Sequence, residues 1–167
     1  MKWIFLIATT GFVLFSCKTK TTTIVAEGKA DSAVAKQHVA AVLDSMHEAF
    51  KKHHLNTMTS FLGNEGYYLG TDPNELWTKK QLSDYLYDHQ KDTTPMLYTI
   101  NRRDILLDSP GFKSALAVEQ YFLPMSKKVM VRSISRLKEV NGKWLINFYS
   151  WNLIPANADV DKINKAL

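Results

Sequence analysis

Apolar residues recur at three- and four-residue steps from Ala35 through Val39, Val42, Leu43, Met46 and Ala49 to Phe50. That spacing puts one apolar stripe on a helix and predicts an amphipathic helix over about Asp31 to His54. Asp31 or Ser32 can cap its start. Lys51, Lys52, His53 and His54 place positive charge at its end, where the helix dipole favours it. A short second helix is expected from Asn56, with Met58, Phe61 and Leu62 as its apolar members and Gly63 just past its end. Gly66 to Gly70 reads as a short strand. Thr71 to Glu75 reads as a turn in which Asp72-Pro73 opens a single helical turn. Thr78 and Gln81 have the spacing of a capping box, and Trp77 and Leu82 occupy the two places of a hydrophobic staple. A third helix is therefore expected from Thr78, ending across Asp92 to Pro95.

Beyond that helix the period shortens to two. Met96 to Asp104 (with Ile105 to Asp108 as its continuation), Phe112 to Leu123, Val129 to Val140 and Lys143 to Ile154 read as long strands. Asp108 to Gly111 is a turn, Pro124 to Lys128 a connection, and Asn141-Gly142 a two-residue hairpin. Helices first and antiparallel strands afterwards give an α+β fold, with three helices packed on one side of a curved sheet. No internal repeat is present.

The N-terminus follows another pattern. Lys2 precedes an apolar stretch from Trp3 to Phe15, shorter than the ~20 residues a spanning helix needs. It matches the apolar region of an export signal. Leu14-Phe15-Ser16-Cys17 resembles the lipobox of bacterial lipoproteins. The resemblance implies a signal peptide over residues 1–16 and a lipid on Cys17. It also implies an exported protein anchored in the bacterial cell envelope, facing the periplasm or in the outer membrane. The alternative is an ordinary cleaved signal beside an incidental cysteine. Cys17 is the only cysteine, so no internal disulfide can form, and an acylated Cys17 leaves no thiol for catalysis or metal binding. Residues 17–30 have the Lys, Thr and Ala composition of a flexible tether, and 31–167 make one domain.

Charge narrows the partners. The chain has 21 basic and 16 acidic residues, a net charge of +5, spread along its length. It shows no basic stripe with interleaved aromatics, so nucleic acid is not an expected partner. Mild positive charge suits an anionic lipid surface or an acidic ligand.

The order of elements resembles the cone-shaped domain of the nuclear transport factor 2-like superfamily. The phrase Tyr68-Leu69-Gly70-Thr71-Asp72-Pro73-Asn74-Glu75-Leu76-Trp77-Thr78 is similar to one found in its SnoaL-like branch. Asn141-Gly142-Lys143-Trp144-Leu145-Ile146 is similar to that branch's final hairpin, and Ile154-Pro155-Ala156-Asn157 to its bacterial tails. The likeness covers about residues 32 to 155. It implies a sheet curved around a pocket, and a homodimer.

Three functions are then open. In the first, an unidentified small, partly apolar molecule binds in the cone, in a pocket drawn from Tyr68, Trp77, Tyr98, Glu119, Tyr121, Arg132, Tyr149 and Trp151. In the second, an isomerase or dehydratase uses Glu119 as base, Tyr98 or Tyr149 as donor, Arg132 as anion clamp, and Asp72. In the third, the sheet face is an interaction surface, with Trp144 and Trp151 on opposite faces. Each residue also has a plainer role. Glu119 and Arg132 can be a solvent-face ion pair, Tyr98 and Tyr149 ordinary strand residues, and Asp72 a turn cap. We take small-molecule binding as the expected function. No cofactor or metal is expected: His38, His47, His53, His54 and His89 all fall on predicted helices without a ligand motif.

Overall fold

The computed structural model describes residues 21–88, 97–108, 111–123 and 129–166, with side chains from residue 31 onward. The expected signal peptide, Cys17, the expected end of the third helix at Asp92 to Pro95, the Ser109-Pro110 part of the expected turn and the Pro124 to Lys128 connection lie outside the described residues. The long helix α1 spans Thr21–Lys51, so the expected boundary between tether and domain at residues 30 and 31 falls inside a continuous helix. Its predicted stripe is the one it buries: Val39, Leu43, Met46 and Ala49 are at most 4% exposed. The Val39, Leu43 and Met46 side chains each contribute up to about 1.5–3 kcal/mol when fully buried. After Lys51 the chain reverses through His53, whose φ of 56° is left-handed. His53 and His54 N–H close the turn on the Phe50 and Ala49 carbonyls.

The short helix α2 spans Leu55–Ser60, and α3 spans Lys79–Asp88. Thr78 and Gln81 make the expected reciprocal cap: Thr78 N–H donates to Gln81 Oε1 at 2.9 Å, and Gln81 N–H donates to Thr78 Oγ1 at 3.4 Å. Six strands follow the order β2-β1-β6-β5-β4-β3 in one sheet. They are β1 Leu62–Leu69, β2 Leu76–Thr78, β3 Ile100–Leu107, β4 Ser114–Phe122, β5 Met130–Val140 and β6 Lys143–Ile154. Asn141 and Gly142, with φ of 52° and 77°, make the β5–β6 hairpin turn that their pair predicts.

Four features depart from the sequence reading. Gly63 is not a helix end: β1 starts at Leu62 and carries it. Leu76 to Thr78 form a strand rather than only a helix approach, paired with Tyr67 to Leu69. β1 runs parallel to β6, the one parallel pair in the sheet. A 3-10 turn, Asn157–Asp159, and a short helix, Val160–Ala166, extend the chain past β6 without burying any residue.

A bulge in β6 changes which side chains face inward. Ile146 pairs with Leu137 and Phe148 with Arg136, so Asn147 is an extra residue on its strand. Strict alternation would put Trp144 and Ile146 on the face opposite Tyr149 and Trp151. The extra residue brings all four to the inner face, where they join one core with Leu62, Tyr68 and Leu137. The expectation that Trp144 and Trp151 lie on opposite faces is corrected by this single insertion.

Candidate functional site

The inner face of β4 is set by period two: Ala115, Ala117, Glu119 and Tyr121 alternate inward and each is at most 1% exposed. A fully buried carboxylate must be paired. α1 supplies one partner and β3 another. His47 Nε2 lies 2.8 Å from Glu119 Oε2, and Arg103 Nε donates to Glu119 Oε1 at 2.6 Å. Arg103 also donates through Nη2 to Asp44 Oδ1 at 2.7 Å, and Ser133 Oγ donates to Glu119 Oε2 at 3.3 Å. The other nitrogen of His47, Nδ1, is 2.6 Å from the Tyr98 hydroxyl. Because an ionised carboxylate only accepts, Nε2 carries the proton of its bond to Glu119. Nδ1 then accepts from the Tyr98 hydroxyl or, in the imidazolium, donates to its oxygen.

Burial pushes the Glu119 carboxyl up, but the hydrogen bond and charge of His47, joined by those of Arg103, outweigh it and hold the pKa below the ordinary value. Burial lowers that of Arg103, and its bonds to Asp44 and Glu119 raise it above the ordinary value. Burial raises Tyr98, with Tyr121 and Glu119 adding to the effect, so the phenol stays protonated. Tyr121 and Tyr149 are raised for the same first reason.

Above this network a cavity of about 270 Å³ opens between α3, the end of α1 and the mouth of the curved sheet. Its walls are largely aromatic. Trp77 stacks on Tyr85 with centroids 4.8 Å apart, Tyr98 stacks on Tyr121 at 4.8 Å, and Phe50 tilts against Trp151 at 5.7 Å. Trp151 Nε1 donates to the Tyr121 hydroxyl at 2.7 Å. Thr71 and Glu75 add polar groups at the wall. Glu75 Oε2 accepts from the Asp72 amide at 3.0 Å. Gly70 leaves it the space, since a Cβ there would collide with that oxygen.

A model of the SnoaL-like domain matches residues 39–151, more than half of the chain. The chain belongs to the SnoaL-like family. Solved structures agree on the fold. A protein of unknown function from Pectobacterium atrosepticum superposes with a TM-score of 0.63 at 12% identity, over 73% of this chain and 92% of that one. A nuclear transport factor 2-like protein of unknown function from Pseudomonas putida gives 0.61 at 10% identity, over 72% and 87%. A cystatin-like fold protein from Burkholderia xenovorans gives 0.60 at 12% identity, over 73% and 93%. No curated protein matches the chain.

Within this SnoaL-like domain the expected pocket residues separate. Trp77, Tyr98, Tyr121 and Trp151 line the cavity together. Glu119 faces inward but sits behind Tyr98 and His47, with no surface of its own exposed. Tyr149 is in the core, and its hydroxyl is buried beside Tyr121 and Ser133. Tyr68 is also core: its hydroxyl lies 2.8 Å from both the Gly63 and Ile146 carbonyls. Asp72 is an exposed turn residue whose Oδ1 accepts from the Asn74 amide. Arg132 does not join the set. It pairs in register with Gln120 while Glu119 pairs with Ser133, so Arg132 faces the other side of the sheet and cannot bond Glu119. It lines a separate groove with Phe122, Met130 and Ile154.

Four residues of the network were not among the expected ones: His47, Arg103, Asp44 and Ser133. His47 had a signal, because it falls on the apolar stripe beside Leu43, Met46 and Phe50, where a titratable group needs a buried partner. Arg103 had none that alternation could separate from Arg102. Among the described residues no group of three or more His, Cys, Asp or Glu could hold a metal, and no helix is long and apolar enough to cross a membrane.

Proposed function

We propose that this protein is a lipid-anchored envelope protein whose domain binds a small, partly apolar molecule. The observation that carries the binding reading is the aromatic cavity of about 270 Å³. Drug-sized ligands occupy ~300–1,000 Å³, so this one suits a smaller molecule, about one ring or a branched head. Aromatic walls with few polar groups favour a ligand that is apolar over most of its surface. The anchor rests on the apolar N-terminal stretch that ends at Cys17. The half-buried Leu116, Val118 and Ile134 on the outer sheet face support a homodimer.

Trp77 and Trp151 both stand in the cavity wall, so occupancy should change their fluorescence. Titration with small neutral and charged compounds is expected to give a saturable change for the class that binds. Emission unaffected by every compound would count against an open cavity.

One observation favours a second reading, acid–base catalysis. Tyr98 lines the cavity and is joined through His47 to Glu119 and Arg103. A proton passed between a bound molecule and Tyr98 could be shared with His47, whose charge Glu119 would stabilise. In that reading Glu119 acts through His47, without touching the substrate.

A further inference from the structure

Resting on the binding reading above, we infer that the ligand of the aromatic cavity is a small organic cation, of the methylated-ammonium class. Half of the twelve described residues that line the cavity are aromatic: Phe50, Trp77, Tyr85, Tyr98, Tyr121 and Trp151. Among these described residues none is Lys, Arg or His, and the one charged side chain is Glu75. Ring faces carry the negative end of the aromatic quadrupole, so a cage of them attracts positive charge, most strongly when water is excluded. A carboxylate at the same wall adds direct attraction. An anion would meet repulsion from both.

Glu75 is built for this position. Gly70 makes the space that its carboxylate fills, and the Asp72 amide fixes Oε2. No described Lys or Arg pairs with it. Among the described residues Lys51 meets one of these rings, its Nζ 4.9 Å from the Tyr98 centroid, and Glu48 partners it at 3.3 Å. Glu119, a further carboxylate near the cavity, is already held by His47 and Arg103. Glu75 is therefore the acid left to meet a ligand's charge. Methyl groups on the nitrogen make the cation weakly hydrated and apolar in outline, which lowers the cost of taking it into a cavity of this kind.

The test is calorimetric titration of the full-length protein with choline and with 3,3-dimethylbutan-1-ol, its neutral carbon counterpart of nearly the same shape. Choline is expected to bind at least tenfold tighter. Glu75→Gln keeps the size of the side chain and its bond to the Asp72 amide, and should reduce that preference to threefold or less without changing the melting temperature. Equal or tighter binding of the alcohol would overturn the cation assignment while leaving the cavity reading intact. Binding of neither compound overturns it as well, and the tryptophan titration then decides separately whether the cavity takes a ligand of another class. An unchanged choline preference in Glu75→Gln would remove Glu75 from the account.

Discussion

Glu119→Ala is expected to lower the unfolding free energy by about 3–5 kcal/mol, the cost of breaking a buried charge pair by removing one partner. For a domain of this size that is roughly 10–20 °C in melting temperature. The effect is large because one carboxylate satisfies three elements. Its loss strands His47 on α1 and leaves Arg103 on β3 with only the exposed Asp44. The same group gives a pH dependence with a defined sign. Its folded pKa lies below the ordinary value, so as pH falls the unfolded chain takes up a proton before the folded one does. The stabilisation is fully present above about pH 4.3, the ordinary glutamate value, and is lost as pH falls through the depressed folded value. Denaturant unfolding of wild type and Glu119→Gln between pH 7 and 3 measures this. The variant should be less stable at neutral pH and lose less stability on acidification. Parallel acid limbs would show that Glu119 is not held as an ion.

Cys17→Ala is expected to move the protein from the membrane fraction to the soluble one. A lipidated cysteine with an acylated N-terminus carries more than one chain, each buried CH₂ contributing about 0.8 kcal/mol, and two chains hold where one exchanges. Charge is a mild +5, and no described helix is apolar enough to span a bilayer. Fractionation of the variant, with detergent-phase partitioning of the wild type, checks this. A variant that stays with the membrane would place the attachment elsewhere in the chain.

What was legible in the sequence was local. The Thr78/Gln81 cap, the Asn141-Gly142 turn and the stripe from Ala35 to Phe50 each depend on residues within a few positions of one another, and each forms. What was not legible was long-range. The parallel pairing of β1 with β6 joins residues more than 70 positions apart and has no local cue. The bulge at Asn147 is one extra residue, yet it reverses the facing of Trp144 and Ile146 relative to Tyr149. The same limit applied to the site. Alternation placed Glu119 and Tyr121 on one face, but register alone separates Glu119 from Arg132 and gives it to Arg103. His47 lay on the helix where the stripe put it. Its meaning came only with the strand that carries Glu119 and the chain that brings Tyr98 against it.

We propose that the space among Trp77, Tyr98, Tyr121 and Trp151 holds a small molecule. Leu86 reaches the same space from α3 and is only half-buried, so Leu86→Trp can fill the cavity with little demand on the core. Native mass spectrometry of both proteins, each incubated with the small-molecule fraction of a bacterial envelope extract, is the most direct measurement. A discrete small-molecule adduct is expected on the wild type, absent or at least tenfold weaker on Leu86→Trp. No adduct on the wild type, or the same adduct on both proteins, would contradict it.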